Sequence, residues 1–349
     1  MIFTSDNWAG AHPAIAASLT AHSAGFTPAY GAGDLDQKVA QTFNRIFGRE
    51  VAVFFVGTGT AANSLALSAV SRPGGVSFCH RDAHVIADEC GAPEFFSQGS
   101  RLVPVDGKEG KIDPTNLEAE IARFPQGFVH AGQPVAITLT QATEAGTVYQ
   151  PDEIRAISKI AKAHGLPLHM DGARFANALV ALDLTPAQMT LDLGVDILSF
   201  GGTKNGCWCA EALVFLDSSM AGQAAFLQKR AAQLYSKSRF IAAQFDAYFE
   251  SDLWLDLARH ANGMAARLQR GIDASTNARL AWLSAANETF PIIPKTLAKD
   301  LTAKGALFYE WSAPRSHPNL VGEDETLLRL VTSFATTEEH IDRFVDLLG

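Results

Sequence analysis

Apolar, β-branched runs recur along the first two thirds of the chain, at Val51 to Val56, Val76 to Cys79, Leu102 to Val105, Val135 to Thr140, Leu166 to Met170, Val195 to Phe200 and Ala212 to Leu216. Runs this short, without polar alternation, predict strands buried on both faces. Most are separated by apolar residues at helical spacing. The first such helix carries Leu35, Val39, Phe43, Ile46 and Phe47 behind Asp34, read as its N-cap. A later one starts at Pro151, runs through Ile154, Ile157, Ile160 and Ala161, and stops before Gly165 with Lys162 and His164 in its last turn. Strands and helices in this alternation imply an α/β fold, with a mostly parallel seven-stranded sheet covered on both faces.

Past Leu216 the strand pattern fades, and amphipathic helical patterns run from Met220 to Phe249 and from Leu253 to Ile272. Leu280 to Leu283, Leu307 to Trp311 and Leu327 to Phe334 then read as strands of a small α+β domain, closed by a helix beginning near Thr337 and Glu338. The expected division is a large domain over 1–250 and a small one over 251–349. A length of 349 residues accommodates both.

A formal charge of −9 and the lack of a dense Lys/Arg run argue against nucleic acid as a partner. The start, Met1 to Asn7, has neither the basic nor the apolar part of a signal peptide, and no segment approaches the ~20 apolar residues that span a bilayer. No membrane association and a cytoplasmic location are therefore expected. Cys79, Cys90, Cys207 and Cys209 are too few for a disulfide framework and lack metal-site spacing, so no metal is expected. Cys207 and Cys209 flank Trp208 near a candidate site, where packing and pocket lining are both open readings.

Three segments carry the chemistry. In Ser199-Phe200-Gly201-Gly202-Thr203-Lys204-Asn205-Gly206 a lysine sits in a glycine-rich turn directly after a buried strand. A desolvated lysine amine is a nucleophile for carbonyls. In Leu166 to Arg174 a second strand ends in Asp171, on the sheet edge where ligands of such folds bind. There a carboxylate can keep a pyridine nitrogen protonated. In Gly57-Thr58-Gly59-Thr60-Ala61-Ala62-Asn63 a glycine-rich turn opens a helix, a place for a phosphate. Singly, Asp171 could be a helix cap, Lys204 a surface lysine and the glycine turn a plain connection; together they point to pyridoxal phosphate. The glycine turn also satisfies G-x-G-x-x-A, with Asp82 near the distance of a ribose carboxylate, which leaves a nicotinamide oxidoreductase as a rival reading.

Across Ser5-Asp6-Asn7, Tyr30-Gly31, Gly57 to Asn63, His84, His169-Met170-Asp171-Gly172-Ala173-Arg174, Thr203-Lys204 and Arg329-Leu330-Val331-Thr332, the sequence resembles the low-specificity L-threonine aldolases. These are fold-type-I pyridoxal phosphate enzymes of the β-eliminating-lyase-like group. The resemblance implies a transferase-like large domain and the cleavage of L-β-hydroxy-α-amino acids to glycine and an aldehyde. It implies that Lys204 carries the cofactor as a Schiff base, that Asp171 pairs with its ring nitrogen and His84 stacks on the ring, and that Gly59, Thr60 and Thr203 hold the phosphate. Ser5, Arg174 and Arg329 would bind the substrate carboxylate, with Arg174 also among the cofactor contacts. It further implies a homodimer or homotetramer whose sites form between subunits. Tyr30 would then reach a neighbour's site, and one of the basic residues Lys229, Arg230, Lys237 and Arg239, with Lys237 or Arg239 foremost, would touch a neighbour's phosphate.

One segment departs from the family pattern. Where many members carry a second histidine, in a stretch resembling E-N-T-H-N-G, this chain reads Gln141-Ala142-Thr143-Glu144-Ala145-Gly146. The resemblance implies His84, directly or through water, as the base that takes the β-hydroxyl proton; the departure leaves that assignment open, with Thr143 or Glu144 standing where the second imidazole would be. Phenylserine-like substrates are expected beside threonine and allo-threonine. A β-eliminating lyase or an aminotransferase is the alternative that keeps the cofactor.

Overall fold

The computed structural model describes residues 1–314 and 317–349. Among them the seven apolar runs form one sheet, in the order β1 (Ala52–Val56), β7 (Glu211–Phe215), β6 (Ile197–Gly201), β5 (Leu168–Gly172), β4 (Gln133–Thr140), β2 (Gly75–His80) and β3 (Arg101–Val105). All neighbours from β6 to β3 are parallel; β7 alone runs against both of its partners. Strands β2, β5, β6 and β7 are buried at every position, as unalternating sequences require. The helix Pro151–Ala163 occupies the expected span, and its N-terminal turn is closed by a reciprocal Gln150–Glu153 capping box. The helix Asp34–Phe47 differs at its start. Gly33 is the N-cap and Asp34 lies inside the first turn, where its charge still favours the helix dipole.

Beyond β7 the expected continuous helix from Met220 to Phe249 is broken. A 3₁₀ turn, Ser218–Gln223, leads into Ala224–Arg230, and a second helix, Arg239–Phe249, follows a loop in which Ala232 has φ of +58°. The helix Leu253–Ala274 then runs between two cores. Trp254, Leu257 and Ala258 belong to the main core, while Met264, Leu268 and Ile272 pack into a second one with Phe3, Leu328, Leu330, Ile341 and Phe344. The second core lies on a small antiparallel sheet of β8 (Arg279–Leu280), β10 (Pro291–Pro294), β12 (Glu325–Val331) and β11 (Tyr309–Trp311), with β9 (Glu288–Thr289) also pairing β12. The chain's first residues join it. The Phe3 amide donates to the Leu307 carbonyl at 2.8 Å, and the Val331 amide donates to the Phe3 carbonyl at 2.9 Å. The last helix, Glu338–Leu348, is capped by Thr337 as expected.

Candidate active site

The end of β6 is held rigidly before it reaches the lysine. Phe200 contacts the rings of Phe43 (5.2 Å between centroids), Phe175 (5.4 Å), Phe249 (5.7 Å), Trp254 (5.8 Å) and Phe245 (6.0 Å). Each such pair contributes roughly 0.5–1.5 kcal/mol beyond area burial. Gly201 then passes so close to β5 that a Cβ there would lie 2.4 Å from the Ala173 carbonyl oxygen, which is why no larger residue fits. Lys204 follows in a single 3₁₀ turn, Thr203–Asn205, pinned on both sides. The Thr203 amide donates to Glu211 Oε1 at 3.2 Å, and Asn205 Nδ2 donates to the Tyr248 hydroxyl at 2.7 Å and to the Trp254 carbonyl at 2.8 Å. Burial pushes the Glu211 carboxyl up to about 7, against its Thr203 hydrogen bonds and the Lys204 charge.

Asp171, at the neighbouring end of β5, is equally fixed. Its Oδ1 accepts from the Ala173 amide at 3.0 Å and its Oδ2 from Asn63 Nδ2 at 2.9 Å. Asn63 belongs to the helix Gly59–Val70, so this bond brings the glycine-rich turn over the rim that holds Asp171 and Lys204. Thr58 caps that helix through the Ala61 amide. The Gly59 and Thr60 amides lie in the first turn, where N–H groups have no intrahelical acceptor. Beside them is a cavity of about 140 Å³ whose lining includes Thr58, Thr60 and Ser64, and a Cβ on Gly59 would meet nothing within 4 Å. The Asp171 and Lys204 charges both act on His84, whose Nδ1 is 2.9 Å from Glu89 Oε1. An amine, a carboxylate, a partly exposed imidazole and a helix N-terminus thus converge, and this donor set fits the aldehyde, ring nitrogen, ring face and phosphate of pyridoxal phosphate. His169, upstream on β5, faces away from that chemistry in kind: burial holds it down at about 4 as a neutral ring beside Ser199 Oγ, at 2.9 Å.

The three residues expected at the substrate carboxylate each have partners within the chain. Arg174 and Arg329 do come together, at 4% and 9% exposure, but around a buried acid that the sequence reading passed over. Glu288 Oε1 accepts from Arg329 Nε at 2.8 Å, with Nη2 at 2.6 Å, and Glu288 Oε2 lies 3.7 Å from Arg174 Nη1. Arg174 also grips Asp6 through Nε (2.8 Å) and Nη2 (3.1 Å). Burial pushes the Asp6 carboxyl up, but Arg174 and then Lys204 outweigh it and hold the group at about 2. Ser5 serves the turn, its hydroxyl oxygen accepting from the Asn7 amide at 3.1 Å.

Other candidate residues have the following places within the single chain. Thr143 is spent internally, bonding Thr147 Oγ1 at 2.8 Å and the Glu109 carbonyl at 3.2 Å, so Glu144, whose charge reaches both His84 and Arg174, is the one that remains at the site. Arg239 donates to the carbonyls of Ala24 and Gly25 within its own chain, Lys229 lies over the Tyr30 ring at 5.3 Å, and Lys237 is exposed. Cys207 packs in the main core. The dinucleotide reading fails on topology. Strand β1 is at the sheet edge and antiparallel to its one neighbour, whereas that motif opens a central parallel strand. Asp82 instead lines an acidic cleft with Asp88, Asp106 and Asp113.

A sheet of this order, with amine and acid on adjoining strand ends, defines a pyridoxal phosphate enzyme of fold type I. Residues 3–290 match the model of the beta-eliminating lyase family, and the chain belongs to that family. It is 41% identical over 307 residues, 88% of each chain, to the low specificity L-threonine aldolase of Pseudomonas aeruginosa. The structure superposes on the threonine aldolase of Leishmania major with a TM-score of 0.91 at 30% identity, covering 99% of this chain and 98% of that one. The tryptophan decarboxylase of Catharanthus roseus, at 15% identity and a TM-score of 0.73 over 99% of this chain and 82% of that one, shares the fold alone. The architecture by itself therefore does not select the reaction. Among the described residues no helix is long and apolar enough to cross a membrane.

Proposed function

We propose that this chain is a low-specificity L-threonine aldolase, cleaving L-β-hydroxy-α-amino acids to glycine and an aldehyde. The observation that carries the reading is the meeting of Lys204, Asp171 and His84 under the Asn63 carboxamide, in a chain 41% identical to a Pseudomonas aeruginosa enzyme of that name. Lys204 would hold the cofactor's aldehyde carbon, Asp171 its ring nitrogen, Gly59 and Thr60 its phosphate, and His84 its ring face. When bound, pyridoxal phosphate supplies the electron sink that makes cleavage of the Cα–Cβ bond feasible. Asp171, held in place by the Asn63 and Ala173 N–H groups, would face the ring nitrogen and keep that sink effective. The Arg174–Glu288–Arg329 cluster lies at the rim where the substrate carboxylate arrives, and orientation there selects which bond to Cα lies perpendicular to the ring. His84 takes the β-hydroxyl proton, with the Glu144 charge acting on its ring.

Purified protein is expected to release glycine from threonine, allo-threonine and phenylserine, with phenylserine cleaved at least as fast as threonine. Steady-state rates with coupled aldehyde detection check this, and strong discrimination in favour of threonine would sink the substrate part. Amino transfer to a keto acid without glycine release would favour the aminotransferase alternative.

The same reading includes assembly of two or four copies with sites between them. Trp8, Phe26, Tyr30, Trp208 and Tyr235 are exposed aromatics, and the loop carrying Phe26 and Tyr30 is tied to residues 236–239 by the Tyr30 amide and the Arg239 guanidinium. Tyr235 in turn abuts Gly57, where a Cβ would meet its hydroxyl at 2.3 Å. Isolated large apolar side chains are common on surfaces, but a group of them beside a ligand loop fits an interface. Light scattering is expected to give a dimer or larger, and Phe26→Glu to shift it towards monomer; a monomeric, fully active wild-type protein would remove this part.

A further inference from the structure

The mechanism leaves one acid beside the cofactor site without a task. The Glu89 side chain is fully buried, five residues beyond His84 at the end of a one-turn helix, His84–Ala87. Its Oε1 accepts from Asn63 Nδ2 at 2.8 Å and lies 2.9 Å from His84 Nδ1, while its Oε2 is buried with no hydrogen-bond partner. Asn63 Nδ2 also donates to Asp171 Oδ2. One amide nitrogen therefore faces two carboxylates, which fixes the orientation of the carboxamide, since its oxygen in that place would oppose two acceptors. Oε1 already receives one N–H, and a proton on Oε2 would have no acceptor. With Glu89 as the anion, Oε1 accepts from both Asn63 and His84, which puts the shared hydrogen on Nδ1 and leaves Nε2 as the acceptor nitrogen.

We propose that Glu89 is the positioning residue of the site: it fixes the His84 ring with Nδ1 protonated and Nε2 turned over to proton transfer, and Asn63 ties this pair to Asp171. The arrangement is that of a buried acid behind a working imidazole, which selects one tautomer and stabilises the charged ring. The Glu89 hydrogen bond is the largest influence on His84 and raises its pKa against burial; of the other charges facing it, Glu144 and Asp171 favour protonation and Lys204 opposes it. Glu89 is the one in direct contact. As a base His84 must be neutral, so activity rises with pH through its protonation range, and Glu89 sets where that rise falls. The substrate's identity rests on the aldolase reading; the state of the histidine does not.

The test uses the full-length holoenzyme with isotopically labelled histidine, as wild type and as Glu89→Gln, which keeps the shape and the acceptor and removes the charge. Ring-nitrogen resonances are followed by NMR from about pH 5 to pH 8, where histidine titrates, with His84→Asn identifying the His84 signals. The neutral ring in the wild type is expected to carry its hydrogen on Nδ1. In Glu89→Gln the His84 midpoint is expected to fall by about one pH unit, with the acid limb of kcat/KM moving alongside it and KM little changed. A neutral ring protonated on Nε2, or superimposable titrations in the two proteins, overturns the proposal; the first criterion needs only the wild type should the variant not fold. Expected NMR behaviour in a protein that cleaves no β-hydroxy amino acid would uphold this inference while the aldolase reading fell.

Discussion

Lys204→Ala is expected to lose aldol cleavage by about 10³-fold or more while keeping the wild-type fold. The amine is the nucleophile proposed to hold the cofactor, and its neighbours are committed elsewhere: Asn205 to Tyr248 and Trp254, and Thr203 to β7 through Glu211 and the Ala210 amide. Stability should hold because Lys204 is a partly exposed side chain outside the Phe200 ring cluster. Two measurements together decide the matter. Borohydride reduction of the wild type should fix the cofactor on the peptide containing Lys204, and the variant should take no such label. Label on any other lysine, or residual turnover within about tenfold of wild type, would displace Lys204 from its role.

The second large effect is expected at Glu288, where the consequence is mainly structural. Glu288→Ala leaves Arg329 without its buried partner and Arg174 with Asp6 alone, and removing one member of a buried ionic cluster typically costs about 3–5 kcal/mol. Because Asp6 still neutralises Arg174, the lower end of that range applies here. Urea unfolding should show the loss as a lower midpoint with an unchanged slope. Substrate affinity should change too, since the two guanidinium groups that Glu288 draws together are those nearest the place for an incoming carboxylate. A midpoint equal to that of the wild type would mean that the cluster contributes nothing to holding this face.

What was readable in the sequence followed physical range. Each of the seven strands of the main sheet is a local pattern, and each fell within two residues of its expected span. The break between Arg230 and Arg239 was not readable, because its left-handed residue is Ala232, a type that normally favours helix. Strands β9 and β10 escaped for a related reason: they are two and four residues long, and Pro291 begins the second. At the site, Lys204, Asp171 and the glycine turn could be found because each sits at the end of a readable element. Glu89 and Glu288 could not. Each is a lone carboxylate whose meaning comes from partners brought in by tertiary contact, such as Asn63, 26 positions from Glu89, and Arg329, 41 positions from Glu288. The arginine pairing was missed by the same blindness, since a spacing of residue types says nothing about which acid already occupies a guanidinium.

The seating of the first residues between Leu307 and Val331 bears on how the molecule is made. Asp6, only three positions after Phe3, receives Arg174 and the Asn287 side-chain amide, so one corner of the candidate site is assembled from residues 168 and 281 positions apart. The wide sheet closes over shorter stretches of chain, yet the segment carrying Phe3 stays unseated until Leu307 and Val331 are in place. Closing so long a loop is entropically slow. The corner that Asp6 completes is therefore expected to form late and all at once.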